Sequence, residues 1–219
     1  GRMDCASRTV HNSAGRAPGA LRGAHWTEMQ RRDYDPGNCD LVVVVKDVPT
    51  GRAVGALAAV GKFRSTPYPG VIAGRLARWA GMQAEDGDAQ SALVDAAARR
   101  PDAFVHVERA MPIDVIVPFE RDDVTETLCL ALADRTQPVF ERSFHVRARL
   151  RGLKGRVESH AVERAIGGYL CEIAERAGRS TSVTFDDPDV ILMIQVLGRK
   201  VGFSFLGREV RDLDFVRPR

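Results

Sequence analysis

Aromatic residues make up only 6% of the 219-residue chain. A protein that reads single-stranded nucleic acid along its length needs a row of aromatic platforms, so this scarcity argues against such a reader. Cysteine is equally sparse. Cys5, Cys39, Cys129 and Cys171 lie 34, 90 and 42 positions apart, which fits neither a disulfide scaffold nor any familiar zinc spacing. Thiols of this kind are expected in a reducing cytoplasm. The histidines, at 11, 25, 106, 145 and 160, form no HxxxH pair or Cys/His cluster. No apolar run approaches the roughly eighteen residues of a membrane span. The first residues also lack the apolar core of a signal peptide. Nor is one charge sign in large excess, since 32 Lys and Arg stand against 29 Asp and Glu, a net charge of +3. A histone-like polycation is excluded, so an anionic partner must be met by a local patch.

Nucleotide and nucleophile motifs are missing as well. In "GALAAVGKF" five residues separate Gly55 from Gly61 where a phosphate loop has four, and Phe63 stands where Ser or Thr must reach magnesium. No GxGxxG follows a strand, and no GxSxG occurs. The acids of "DDPD", Asp186, Asp187 and Asp189, read as Asp-Pro turn chemistry rather than a cation site. The expectation is a chain with no cofactor, no metal and no catalytic residue, and therefore not an enzyme.

What is present is material for a core: 44% hydrophobic and 28% charged residues. Residues 1–37 carry six Arg against four acids without periodicity and read as a weakly basic tail. "CDLVVVVKDV" opens the fold as a strand covered on both faces. "TGRAVGALAAVGKF" reads as a small-residue helix, "PGVIAGRLARWAG" as a strand, and Ala92–Arg99 as a helix ending before Pro101. "FVHVERAMPIDVIVP" is extended and "RDDVTETLCLALADR" helical. From Ser159 to Ala177 apolar residues recur at helical spacing, with Ser159 as N-cap and Gly178 as the stop. Gly167 and Gly168 interrupt that helix and point to close packing against a sheet or a ligand. "TSVTF", "DVILMIQVL" and "VGFSFL" complete an α/β layered fold as strands.

The local patch is in "SFHVRARLRGLKGR". Phe144, Val146, Ala148 and Leu150 fall on one side of a strand, and His145, Arg147, Arg149 and Arg151 on the other. An edge strand kept soluble by its charges accounts for one such arginine. Three in register, continued by Lys154 and Arg156, make a better case for an anion-binding comb. Residues 143–160 hold four Arg and one Lys against one Glu, or +4, so the rest of the chain sums to about −1. Arginine forks match phosphate oxygens two at a time, and the helix start at Ser159 adds backbone amides.

Three blocks in order then carry a resemblance: "FHVRARLRGLKGR", "ESHAVERAIGGYLCEIAE" and "VTFDDPDVILMIQVLGRKVGFSFLG". They resemble the THUMP domain, an RNA-binding module of tRNA- and rRNA-modifying proteins. The family strand Phe-x-Val-Arg-x-Arg is matched by Phe144, Val146, Arg147 and Arg149. Its helix with a central Ile-Gly is matched by Ile166 and Gly167, and its Pro-Asp before a hairpin by Pro188 and Asp189. Residues 38–103 are similar to the ferredoxin-like domain that often precedes a THUMP domain, which would then occupy 104–219. The resemblance implies binding of structured RNA, with the tRNA acceptor end as the favoured partner. His145, Arg147, Arg149, Arg151, Lys154, Arg156 and Ser159 are the candidate contacts. Twelve residues follow Gly207, so the expected protein is a stand-alone adaptor that lends RNA to a separate enzyme, such as an acetyltransferase. A self-contained RNA-modifying enzyme and a protein-interaction subunit without RNA binding are the alternatives.

Overall fold

The run Leu41–Val45 is too uniformly apolar for a strand with one wet face, and strand β1 forms there with Leu41, Val42, Val43 and Val45 all buried. The structure, a computed structural model, describes residues 31, 34–78, 88–120, 123–153 and 155–216. After β1 come helix α1 (Thr50–Leu57), β2 (Gly61–Ser65), β3 (Val71–Leu76), helix α2 (Ala89–Arg99) and β4 (Val107–Pro112). The order is β2-β3-β1-β4 with every pair antiparallel, which is the βαββαβ arrangement of a ferredoxin-like fold. The Asp88 carboxylate accepts the Ser91 N–H at 2.9 Å and caps α2.

Two details depart from expectation. The helix read through "GKF" stops at Leu57, and Gly61 to Phe63 belong to β2. The cause is tertiary: a Cβ at Gly61 would lie 2.2 Å from the Arg75 carbonyl oxygen of β3, so the glycine serves a close strand approach. The first sheet also draws its fourth strand from residues 107–112, beyond the expected boundary at 103. The last described residues return to the same unit. The Ala110 N–H donates to the Phe215 carbonyl at 2.8 Å, and the Phe104 and Phe215 rings stack at 4.7 Å. Most of the basic tail expected at 1–37 lies outside the described residues.

The second sheet comprises β5 (Val115–Pro118), β6 (Arg142–Arg151), β7 (Thr181–Val183), β8 (Val190–Leu197) and β9 (Lys200–Leu206). Its order is β5-β9-β8-β6-β7, with β6 parallel to both neighbours and β9 antiparallel to both of its own. Helix α3 (Val124–Leu132) and helix α4 (Ser159–Arg176) cover one face, and the short α5 (Arg208–Arg211) follows β9. Val162, Ile166 and Leu170 of α4 meet Phe144, Val146 and Ala148 of β6 and Val190, Leu192 and Ile194 of β8. Each large aliphatic side chain buried there stabilises the fold by about 1.5–3 kcal/mol. The alternate residues of β8, Ile191, Met193 and Leu197, pack with the first unit's core, so β8 is buried on both faces.

Helix α4 ends as expected. Gly178 has φ +66°, its N–H donates to Glu175 O at 2.9 Å, and the Arg179 N–H donates to Ala174 O at 2.8 Å, a Schellman closure. Its start differs, because Ser159 is the first helical residue and not the cap. Glu158 holds the extended cap position, with no side-chain bond, and its carbonyl receives the Ala161 and Val162 N–H groups. The turn after Leu153, where the Arg156 and Val157 amides donate to the Leu153 carbonyl, brings the chain in one residue early.

Candidate nucleic-acid interface

Strand β6 lies in parallel register with β8 over its whole ladder from Phe144 to Arg151, while β7 pairs only with Arg142, Ser143 and Phe144. Past Phe144 its outer edge therefore carries no strand among the described residues. There Glu163 of α4 takes the Ala148 N–H at 2.9 Å with Oε1. The even positions of β6 enter the helix-side core. The odd positions pair with Ile191, Met193, Gln195 and Leu197, the β8 residues that face the first unit. The cationic file thus runs along the junction of the two units rather than over an open surface.

The file is not uniform along its length. His145 is buried, 6% exposed, and neither ring nitrogen has a hydrogen-bond partner. Burial, reinforced by the Arg147 charge, lowers its pKa below the ordinary histidine value, which keeps the ring neutral. Arg147 and Arg149 are half-buried and make no ion pair among the described residues, and Arg147 Nε has no partner. Burial and the charges of Arg109 and Arg147 lower the pKa of Arg149. Arg151 is committed to the fold: Nη1 donates to Gln195 Oε1 at 2.6 Å, and burial pushes its pKa to about 10. It still carries its charge at neutral pH. Arg156 is exposed on the turn into α4, and Lys154 lies outside the described residues.

Two residues that the sequence pattern did not single out complete the cluster. Arg109 sits on β4 two positions before Met111, whose sulfur accepts from Gln195 Nε2 at 3.0 Å, so alternation points both toward the second sheet. Arg31 lines, with Tyr68, Arg149, Arg151, Gly152 and Ser159, a cavity of about 730 Å³ between the units. The Tyr68 hydroxyl accepts the Gly198 N–H at 3.0 Å and donates to the Arg31 carbonyl at 3.0 Å, tying the segments together. Gly152 has φ +95°, and a Cβ there would stand 2.7 Å from that hydroxyl oxygen. The alternation of Val107, Arg109 and Met111 was visible in the sequence; its proximity to β6 was not.

The acids near Pro188 have a structural use. Asp189 accepts from the Ser143 N–H and hydroxyl at 3.0 and 2.7 Å and pairs with Arg208, which uses the acids of "DDPD" to fasten a turn. Among the described residues no three His, Cys, Asp or Glu side chains come together as a metal site. No described helix is long and apolar enough to cross a membrane.

The arrangement is a group of guanidinium groups at a junction with more positive than negative charge, a geometry suited to a polyanion. No family model matches the chain, and no curated protein matches it. Solved structures that share its broad outline include the protein PH1313 of Pyrococcus horikoshii, at 14% identity and TM-score 0.49, over 77% of this chain and 54% of that one. A 4-thiouridine synthetase in complex with RNA and ATP matches at 12% and 0.49, over 77% and 41%. TrmN of Thermus thermophilus matches at 17% and 0.49, over 75% and 44%. The chain spans about half the length of these structures or less, and likeness at this level assigns neither family nor activity.

Proposed function

We propose that the chain binds structured RNA, with the tRNA acceptor end as its target, and presents it to a separate RNA-modifying enzyme. One observation carries the RNA reading: Arg109, Arg147 and Arg149 converge from two sheets and make no ion pair among the described residues, although the Glu163 carboxylate acts on Arg149 through space. The Arg149 pKa is lowered first by burial and then by the repulsion of Arg109 and Arg147. A phosphate backbone relieves that repulsion. The contacts position RNA by its backbone and shape, without specifying sequence. The tRNA target and the adaptor role rest on the sequence resemblance to THUMP proteins.

Filter binding of tRNA across a salt series tests the reading. Four to six phosphate contacts give a slope of about −3 to −5 in log K against log salt. A slope near zero with binding intact removes the arginine cluster as the binding surface. For the adaptor role, tRNA is incubated with the protein, acetyl-CoA, ATP and S-adenosylmethionine, then digested for mass spectrometry. Unchanged nucleosides are expected. A new modified nucleoside that depends on a residue of this chain makes the protein an enzyme.

A further inference from the structure

Beyond Phe144, where β7 leaves the edge of β6, a groove of about 450 Å³ opens against α4. Its walls include His145, Glu163, Gly167, Gly168, Val183 and Phe185. Three features of it are unusual for a surface that only packs the fold. Phe185 is 79% exposed and Val183 48%, so apolar surface faces water at the groove's lip. The His145 ring is buried with both nitrogens unpartnered, although buried polar groups are nearly always hydrogen-bonded. The third feature is the glycine pair in the middle of α4. A Cβ at Gly167 would come no nearer than 4.0 Å to Val146, and one at Gly168 would meet nothing within 4 Å. Packing against the sheet does not require these glycines, and what they provide is an unobstructed helix wall.

We propose that this groove is a nucleobase site, which takes the base of one unpaired nucleotide of the RNA held by the arginine cluster. The inference rests on the RNA-binding reading above and adds a base contact to its phosphate contacts. The Phe185 and His145 rings lie 4.7 Å apart at 58° on the same groove wall, so a planar ring stacking on the exposed Phe185 lies next to the imidazole. A neutral imidazole offers one donor and one acceptor, the pair that a base edge complements. Desolvation and the Arg147 charge hold it in that neutral form. Charge fits as well. Arg164 stands exposed at the rim, and Arg147 and Arg149 follow His145 along the strand at about 6.6 Å intervals. That interval approximates the spacing of phosphates along an extended strand. An added peptide strand fits less well, because Glu163 already occupies the Ala148 N–H on the open edge.

The test uses two RNA hairpins with a four-nucleotide 3′ overhang, one intact and one with abasic sites in the overhang. Both keep the phosphates. The wild-type protein is expected to favour the intact overhang by about tenfold, within the range measured for stacking one base on an aromatic side chain. Phe185→Ala should abolish that preference and leave the salt slope unchanged. Gly168→Leu, which fills the groove from an exposed helical position, should do the same, while Phe185→Trp should keep the preference. Equal binding of the two hairpins by wild type, or a preference that survives Phe185→Ala, overturns the base site and leaves the RNA-binding reading standing. Failure to bind either hairpin at low salt overturns both.

Discussion

Strands β6 and β8 are hydrogen-bonded neighbours with the same helices on one side and the same first unit on the other. Their faces toward the helices are alike: Phe144, Val146 and Ala148 on one, Val190, Leu192 and Ile194 on the other. Their opposite faces are not. Strand β8 presents Ile191, Met193 and Leu197, all buried, where β6 presents His145, Arg147, Arg149 and Arg151. A step of about 4.8 Å across the sheet separates an apolar layer from a cationic one. The cover supplied by the first unit is full over β8 and partial over β6, and the chain changes residue type where the cover thins. The guanidinium groups thus stand on a strand that is held in register by its other side. Stability and charge presentation are separated by the pleat.

Exchanging residues across that step should produce the largest effect. Met193 is 3% exposed, so Met193→Arg drives an unpaired charge into the apolar layer and should destabilise the protein by about 4 kcal/mol or more. The reciprocal change, Arg147→Met, should stay within about 1 kcal/mol of wild type. Urea unfolding followed by circular dichroism measures both. If Met193→Arg is as mild as Arg147→Met, the first unit does not cover β8 in solution.

A smaller contrast runs along β6 itself. Arg151 donates from a half-buried position to the buried Gln195, so Arg151→Ala leaves a buried acceptor unpaired and should cost about 2 kcal/mol. Arg147→Ala with Arg149→Ala should cost less than about 1 kcal/mol together. That double change should instead weaken tRNA binding across tRNA species and reduce the magnitude of the salt slope by about one for each phosphate no longer neutralised. A double variant that melts far below Arg151→Ala identifies Arg147 and Arg149 as residues of the fold. One that melts normally and binds tRNA fully places the RNA surface elsewhere.

The alternation that makes these contrasts possible was legible in the sequence, because a strand with one buried face writes a period of two that a slip of one residue would destroy. Helix α4 was legible for the parallel reason, its apolar residues recurring on one face from Val162 to Leu170. What the sequence withheld depends on distant partners. Gly61 looks like a helix end until Arg75 is placed beside it, and β4 looks like the start of the second unit until it pairs with β1. Arg109 is an ordinary strand arginine until β6 arrives across the junction. His145 shows the limit most clearly. Its position in an alternating cationic file predicts an exposed side chain, but the ring is buried, with the Phe185 ring packed 4.7 Å away.

That burial gives the smallest of the expected effects, a pH dependence set by one imidazole. His145 has a folded pKa below its ordinary value of about 6.5, chiefly through desolvation and secondarily through Arg147 on its own strand. From α4, Glu163 acts in the opposite direction, and His160 and Arg164 share the groove. As pH falls below about 6.5 the unfolded chain takes up this proton first, so its contribution to stability is intact above that pH. The contribution is lost as pH falls through the folded value. Melting curves between pH 7.5 and 5 should therefore show wild type losing stability relative to His145→Gln, which lacks the titrating ring. The His145 Hε1 resonance should titrate with a midpoint below about 6.5. A midpoint at or above that value would mean that the ring is solvated, and that β6 presents a histidine to water as freely as it does its arginines.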